Sequence, residues 1–283
     1  MDLLTNMEVP TLEKGSNLAG QVISEVSLSR VDLCGVNFRG ATVRNCDFEG
    51  CFLATSDMSE TKLEGVNLLS AILCRALLRE AVLTAVNAKE VVLLETDLSF
   101  ATLTGVDLTG CSASGSVWKG ARLRGAMLES SDLSYTTFTN ADLSGANLTR
   151  ATLFRASLEE CAFEQGNFEF ADLRNASFRR CWFGRSNFVG AALEGTQFIE
   201  CDLTGADFYW SDFSDSKCFN CTLTDIRRPE EQKIVYGPKG VKPPVVVPKP
   251  LYRQAITEEQ RQKILTAALT PPTADSKIEG DNR

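Results

Sequence analysis

A five-residue rhythm runs from Leu18 to Leu223 without a change of phase. Every fifth position in this stretch holds a bulky apolar residue, except for Ala88, Ala113 and Cys218. Two residues before each of these positions stands a small residue, most often Ala, Cys, Val or Ser. A helix, with a period of about 3.6 residues, and a flat strand, with a period of about 2, cannot keep two residues in five on one side for so long. The pattern therefore predicts a solenoid whose chain turns a corner every five residues.

The repeat resembles that of the pentapeptide-repeat family, in which a small residue is followed by Asp or Asn, then Leu or Phe, then two mostly polar residues. Residues 141–145 (Ala-Asp-Leu-Ser-Gly), 146–150 (Ala-Asn-Leu-Thr-Arg) and 171–175 (Ala-Asp-Leu-Arg-Asn) follow this motif. The resemblance implies an all-β fold, a right-handed quadrilateral β-helix with four pentads per coil. It also implies about ten coils, with residues 20 apart stacked at the strand spacing of about 4.8 Å.

Proline marks the boundaries of the predicted rod. None of the 9 prolines lies between Thr11 and Arg228, as expected where backbone N–H groups are needed in a hydrogen-bonded ladder. The sequence predicts an N-terminal lead or cap over residues 1–15, the β-helix over 16–226, a cap and Pro-rich arm over 227–256, a short α-helix over 257–270 and a disordered tail over 271–283.

The C-terminal tail admits two interpretations. Thr257 and Gln260 fit a helix capping box, and the apolar residues after them end at Pro271. The first part of the tail, residues 227–240, is predicted to cap the open last coil, because terminal repeats need covering. For the remainder, docking onto a partner or onto a second copy in a homodimer is the alternative to capping. The docking candidates are Tyr252, Ile264, Leu265 and Leu269.

The 10 cysteines fit a reducing compartment better than a disulfide framework. Most of them occupy the small inward position, where Cys packs as a compact hydrophobe. Cys218 and Cys221 have a metal-like spacing, so a metal site is the alternative. One linear column suits neither a disulfide nor a tetrahedral metal site, and packing is preferred. The inward cysteines are Cys46, Cys51, Cys111, Cys161, Cys181, Cys201 and Cys221.

Catalysis finds no support in the sequence. The chain contains no histidine, which removes the commonest general base and metal ligand. No glycine-rich loop precedes a helix, and no nucleophile–base pair can be identified. No stretch is apolar for long enough to span a membrane, and the N-terminus lacks the features of a signal peptide. The sequence therefore predicts a cytoplasmic protein that is not an enzyme, has no cofactor and does not contact a membrane.

Outward positions carry an apolar patch that continues over three coils. Single exposed apolar residues are ordinary, whereas a contiguous set more often marks an interface. We therefore predict a protein contact surface here. The patch contains Phe52, Ile72 and Val92 at the position usually given to Asp or Asn, Ala54, Cys74 and Leu94 two residues further on, and Leu69 and Leu77 near the adjoining corners.

A second candidate surface is aromatic. Phe170 and Trp210 share a corner column, Tyr209 is adjacent to Trp210, and Trp182 stands on the preceding side. Trp and Tyr are typical anchors of protein interfaces. We therefore predict a second protein contact surface at these four residues.

Charge divides the rod from the tail. Residues 1–226 carry 30 acidic and 18 basic side chains, a net charge of −12, whereas residues 227–283 carry 7 and 11, a net charge of +4. An acidic rod should not bind nucleic acid directly, because phosphates would be repelled. Resemblance to the quinolone-resistance pentapeptide proteins implies instead a DNA mimic that binds gyrase, a type II topoisomerase. The chain departs from those proteins in its uninterrupted rod and Pro-rich tail. Arginines also break its acidic surface at Arg174, Arg179, Arg180 and Arg185.

The leading hypothesis is a non-catalytic scaffold or adaptor that binds proteins through the solenoid surface and the C-terminal arm. Pentapeptide-repeat proteins also occur beside bacterial contractile secretion systems, where an adaptor that loads an effector or spike would use these features. The alternative hypothesis is the DNA mimic. The sequence does not name the protein partner.

Overall fold

The computed structural model describes residues 3–4, 14–212, 214–228, 259, 262–263 and 265–266. From residue 14 to residue 228 the chain forms a parallel β-solenoid of about ten turns. Residues 20 apart lie next to one another in the ladder, so that Val43 pairs with Leu63 and Leu63 with Leu83. The lap length predicted from the five-residue rhythm is therefore confirmed.

Each turn has four sides, which we name A to D in chain order. The bulky residue in the middle of each side points inward and is almost completely buried, whereas the residues before and after it point outward, as successive residues of an extended chain do. The first inward residues are Leu33, Leu53 and Leu73 on side A, Phe38, Met58 and Leu78 on side B, Val43, Leu63 and Leu83 on side C, and Phe48, Leu68 and Ala88 on side D.

Strands form on two of the sides. Sheet β1–β5 lies on side C of the first turns, and sheet β6–β11 lies on side B of the later turns. Isolated parallel bridges continue the ladder elsewhere, for example from Phe52 to Ile72 and from Ile72 to Val92 on side A. The strands are β1 Leu3–Leu4, β2 Val22–Ser24, β3 Thr42–Arg44, β4 Lys62–Glu64, β5 Val82–Thr84, β6 Val117–Lys119, β7 Thr137–Thr139, β8 Ser157–Glu159, β9 Ser177–Arg179, β10 Gln197–Ile199 and β11 Lys217–Phe219.

The core of the later turns is an aromatic stack. The ring centroids of Phe168 and Phe188 are 4.8 Å apart, and those of Phe188 and Phe208 are 4.7 Å apart, with nearly parallel planes. Rings can stack in this way because the ladder spacing of about 4.8 Å falls within the range that aromatic pairs prefer. Trp118 is the largest fully buried side chain, and its indole N–H donates a hydrogen bond to Ser116 Oγ at 2.7 Å.

The corners share one backbone conformation that the sequence did not predict. All corner residues, at every fifth position from Gly15 to Asp225, have φ between +50° and +75°. This left-handed region is most difficult for β-branched side chains. Thr55, with φ of +58°, is the only β-branched residue at a corner.

Replacing Thr55 by asparagine should stabilise the protein, because asparagine enters the left-handed region more readily than threonine. We expect the free energy of unfolding to rise by about 0.5–1 kcal/mol, measured by equilibrium urea denaturation. The matched control is Thr104→Asn at an outward position that is not a corner, where a change below about 0.5 kcal/mol is expected. Equal effects at the two positions would contradict the explanation from φ.

The described part of the tail contains helical residues within the helix predicted over 257–270. They are Glu259, Gln262, Lys263, Leu265 and Thr266, and Lys263 Nζ lies 2.7 Å from Glu259 Oε1, one helical turn away. The predicted cap, Pro-rich arm and disordered end lie outside the described residues, apart from Arg227 and Arg228. Arg227 still forms a bridge with Asp207, so the ladder extends at least to Arg227. In the part of the chain that the structure describes, no helix has the length and apolar character needed to cross a bilayer.

Candidate functional site

The predicted apolar patch forms a distinct cluster on side A, outside the main core. Cys34, Ala54, Cys74 and Leu94 follow one another at 20-residue spacing and are at most 4% exposed. Leu265 of the C-terminal helical segment packs against them and is itself 1% exposed. The side chains of Phe52, Ile72 and Val92 are half-buried at the edge of the same cluster. A residue from the tail therefore covers the patch within its own chain.

Three large apolar residues in the patch replace a hydrogen-bonding position of the repeat. Elsewhere an Asp at this position accepts a hydrogen bond from the backbone N–H two residues on. Asp32 Oδ1 does so from Cys34 at 3.0 Å, and Asp107 Oδ1 from Thr109 at 3.1 Å. Phe, Ile and Val cannot accept such a bond, which typically contributes about 1 kcal/mol. Packing against Leu265 offsets the loss, because burial of a leucine side chain contributes about 1.5–3 kcal/mol.

The helical segment presents one apolar residue to side A. Leu265 is buried, whereas Glu259, Gln262, Lys263 and Thr266 are exposed. This is the pattern of an amphipathic helix that lays its apolar side into a groove. Of the four predicted docking residues, the structure places Leu265 on the patch. The other three, Tyr252, Ile264 and Leu269, lie outside the described residues.

Two features of the predicted patch need correction. The patch is not exposed to solvent, because Leu265 removes it from water and Leu94 is 0% exposed. The column argument compared residues 20 apart and could not place a tail residue on the rod. Leu69 and Leu77 also do not extend the cluster, because they stand on sides D and B, where both are half-buried.

Sequence reasoning missed Cys34 as a member of the cluster. Its position could have been found, since Cys34 stands 20 residues before Ala54 in the same column. Burial raises the pKa of the Cys34 and Cys74 thiols to about 11. Both thiols are therefore protonated at neutral pH and pack as small apolar groups.

The cysteine column of the later turns is part of the interior. Cys161, Cys181 and Cys201 are buried, Cys221 is half-buried, and none of the four is in a disulfide. Hydrogen bonding with Cys161 and burial raise the pKa of Cys181 to about 12. Within the described ranges, no group of three or more Cys, Asp or Glu residues has an arrangement that could hold a metal ion.

The aromatic residues predicted as a second surface lie in three places. Tyr209 and Trp210 are in contact, with ring centroids 5.0 Å apart, and Trp210 is 55% exposed. Phe170 is two turns earlier in the corner column and covers Gly190, where a methyl group would lie 2.5 Å from the Phe170 ring. Trp182 is 45% exposed on side C, a different side. The structure therefore brings Tyr209 and Trp210 together but separates them from Trp182.

Acidic side chains on the rod are often paired with basic ones from a neighbouring turn. Arg75 Nε lies 2.7 Å from Glu95 Oε2, and Arg79 Nε lies 2.6 Å from Asp97 Oδ2. Burial acts to raise the pKa of Asp97, but hydrogen bonds from Ser99 and Arg79 outweigh it and hold the pKa below its ordinary value. The stabilisation by this carboxylate is therefore present above the unfolded-state pKa and is lost as the pH falls through the lower folded-state value.

Family models match most of the rod. The model described as "Pentapeptide repeats (8 copies)" matches residues 14–53, 44–79, 56–93, 76–112 and 108–145, and the model described as "Pentapeptide repeat region" matches residues 131–208. No curated protein matches the chain.

Solved structures of several repeat proteins are similar to the chain. HetL, a pentapeptide repeat protein involved in heterocyst differentiation regulation from the cyanobacterium Nostoc sp. strain PCC 7120, is 28% identical over 76% of this chain and 87% of its own, with a TM-score of 0.42. Rfr23 from the cyanobacterium Cyanothece 51142 is 26% identical over 33% of this chain and 60% of its own, with a TM-score of 0.28. QnrB1, a plasmid-mediated fluoroquinolone resistance protein, is 18% identical over 74% of this chain and 94% of its own, with a TM-score of 0.30.

Proposed function

The chain belongs to the pentapeptide-repeat family, and from that premise we propose that it is a non-catalytic scaffold that binds a partner protein through side A of its solenoid. The partner would present an amphipathic helix to the apolar cluster of Cys34, Ala54, Cys74 and Leu94. The observation that carries this proposal is the burial of Leu265 in that cluster. It supports the proposal because the same contacts would accept an apolar residue from another helix.

The rod provides a surface that needs little rearrangement on binding. The four cluster residues follow one another along a hydrogen-bonded ladder, so their spacing is fixed by the backbone. A preorganised surface loses little conformational entropy when a ligand binds. Because the chain's own helical segment occupies the cluster, a partner helix would have to compete with it. The apparent affinity for a partner would then fall in proportion to the occupied fraction.

Exposed aromatic residues support a second, smaller contact on the later turns. Trp210 and Tyr209 form a pair, and Arg227 lies over the Tyr209 ring with its guanidinium carbon 5.1 Å from the ring centroid. Large rings with a polar atom are typical anchors at protein interfaces. In the proposed scaffold this corner contacts the partner outside the helix-binding cluster.

The alternative function is a DNA mimic that binds a type II topoisomerase. The observation in its favour is the net charge of −12 over residues 1–226. Duplex DNA would carry about 28 negative charges over the length of ten turns, since it has one per about 1.7 Å and each turn rises about 4.8 Å. The rod has fewer than half of that number, and pairs such as Arg75–Glu95 neutralise part of it. The scaffold is therefore the better supported proposal.

Affinity capture with matched variants tests the scaffold proposal. The variant Leu265→Asp should expose the cluster and increase the partner recovered from a bacterial lysate. Adding Phe52→Asp and Ile72→Asp to Leu265→Asp should abolish the recovery, because charges at the cluster edge would be desolvated by a bound helix. Recovery is compared by quantitative mass spectrometry of the bound proteins. Among the proteins recovered, components of a contractile secretion system would support an adaptor role there.

The control for this capture is Thr104→Asp, an outward substitution on side C. It should leave the captured proteins unchanged. Equal recovery by all variants would contradict a partner site on side A. Inhibition of purified gyrase that is lost when Glu49 and Glu129 are changed to lysine would favour the DNA mimic instead.

A further inference from the structure

Side A is buried far beyond the apolar cluster. Outward positions on a solenoid normally contact water, as shown by Val117 on side B, Trp182 on side C and Met127 on side D, which are 38%, 45% and 41% exposed. On side A the outward residues of the later turns are buried instead. They are Ser114 and Ser134 at 0%, Thr152 and Asp172 at 1%, Asp132 at 2% and Ala192 at 4%.

The chemistry of the buried stripe indicates an apolar cover. Ser114 Oγ and Ser134 Oγ are buried, yet among the described residues neither has a hydrogen-bond partner. Such hydroxyls are usually bonded to protein or water, so their burial indicates a neighbour that supplies few donors. Asp172 keeps its charge balanced by Arg174, whose Nη2 lies 2.7 Å from Asp172 Oδ2. A segment rich in proline and valine would cover these groups in this way, because proline has no N–H.

The N-terminal segment cannot be the cover. Leu3 and Leu4 pair with Val22 and Ile23, and the Gly15 N–H donates to the Cys34 carbonyl oxygen, so both ends of residues 5–13 are held at the first turns. A loop of this length can reach out and return over no more than about 17 Å. Ala192 lies eight turns after Asp32, a distance of about 38 Å.

The C-terminal segment has the length and the position required. It leaves the rod at Arg228 in the last turn and reaches the early turns at Leu265, which packs against Cys34 to Leu94. The stripe from Ser114 to Ala192 lies between these two points on side A. Residues 229–264 could span up to about 120 Å if extended, far more than the roughly 34 Å of seven turns. The run from Pro243 to Pro250 would cover about 25 Å as polyproline II, close to the roughly 19 Å of the stripe.

We propose that residues 229–258 lie lengthwise along side A, with the proline-rich run over the stripe from Ser114 to Ala192. The tail thus forms one intramolecular strap, whose far end is the helical segment that covers the apolar cluster. Its net charge of +4 complements the −12 of the rod. This inference goes beyond the proposed function and does not require that a partner exists.

Limited proteolysis of the full chain with trypsin tests the strap. Cleavage after Lys233, Lys239 and Arg253 should be slow in the wild type and about tenfold faster in Ser134→Glu, because cleavage follows the population of the open form. The control, Thr104→Glu at the equivalent position on side C, should leave the rates unchanged. Ser114→Glu provides a second side A variant if Ser134→Glu lowers the thermal midpoint of the rod.

Three outcomes would overturn the proposal. Wild-type cleavage at these sites as fast as in a free peptide of residues 229–258 would show that no strap forms. Equal acceleration by Ser134→Glu and Thr104→Glu would show that side A is not its seat. Protection that weakens on dilution, together with a dimer by native mass spectrometry, would show that a second copy covers side A. None of these readouts depends on partner capture, so the strap and the scaffold function can fail separately.

Discussion

Replacing Phe183 by alanine is expected to lower the free energy of unfolding by about 3–5 kcal/mol, the usual loss for a fully buried phenylalanine. Phe183 is 0% exposed and stacks on Phe163 at a centroid distance of 5.0 Å. Its ring also contacts those of Phe178 at 5.2 Å and Phe188 at 5.4 Å. Truncation would leave a cavity in the middle of the aromatic stack. Equilibrium denaturation in urea measures the loss.

Two controls separate cavity formation from a general effect of losing a ring. Phe219→Ala removes a ring that is 41% exposed, and we expect a loss below about 1 kcal/mol. Phe183→Leu keeps most of the volume and should lose about 1–1.5 kcal/mol. Because each turn contacts mainly its neighbours, Phe183→Ala should also reduce hydrogen-exchange protection more in turns 163–208 than in turns 33–93. A loss for Phe183→Ala no larger than that for Phe219→Ala would contradict a packed aromatic core.

Proline placed at two positions of one pentad should have opposite effects. Thr102→Pro removes the donor of the hydrogen bond from the Thr102 N–H to the Ala81 carbonyl oxygen, which is 2.8 Å long. We expect a loss of about 2–4 kcal/mol from the unpaired carbonyl and the steric effect of the ring. The measurement is again equilibrium denaturation, with Thr102→Ala as the control for loss of the threonine side chain.

Thr104→Pro should be tolerated, although it lies only two residues away. The Val106 N–H donates to the Leu103 carbonyl oxygen at 3.1 Å, and Gly105 has φ of +66°. These features define a type II turn with Thr104 at the position where proline is favoured. In the part of the chain that the structure describes, the Thr104 N–H donates to no backbone carbonyl. We expect a gain of about 0.5–1 kcal/mol from the restricted unfolded chain. Losses of equal size for Thr102→Pro and Thr104→Pro would show that the turn assignment is wrong.

Local periodicity was enough to predict the rod. The inward position of a residue such as Leu63 follows from its place in the pentad, and its neighbours Val43 and Leu83 follow from the lap of 20. The left-handed corners were not predicted, since 28 of them carry residues other than glycine. A sequence pattern marks a left-handed position clearly only when glycine or asparagine occupies it.

The candidate site was predicted only in part, because its last member comes from outside the repeat. The column of Phe52, Ile72 and Val92 was visible from spacing alone. Leu265 stands 171 residues after Leu94, and no periodicity links the two. The tail's attachment depends on a single long-range contact of an amphipathic segment, which the sequence shows as a tendency to dock without naming the place. The contact of Tyr209 with Trp210 followed from adjacency, whereas the separate location of Trp182 followed from the side it occupies.

The lap of 20 residues also limits how the gene for such a protein can change in length. Gain or loss of one pentad within the rod would rotate every later residue by a quarter turn about the axis. Leu94 would then leave the line of Ser114 and Ser134, and a tail that begins at Arg228 would start on the wrong side. Duplication or deletion of 20 residues keeps all columns aligned and changes only the length. Lineages of this protein should therefore differ in rod length by whole laps wherever the tail is retained.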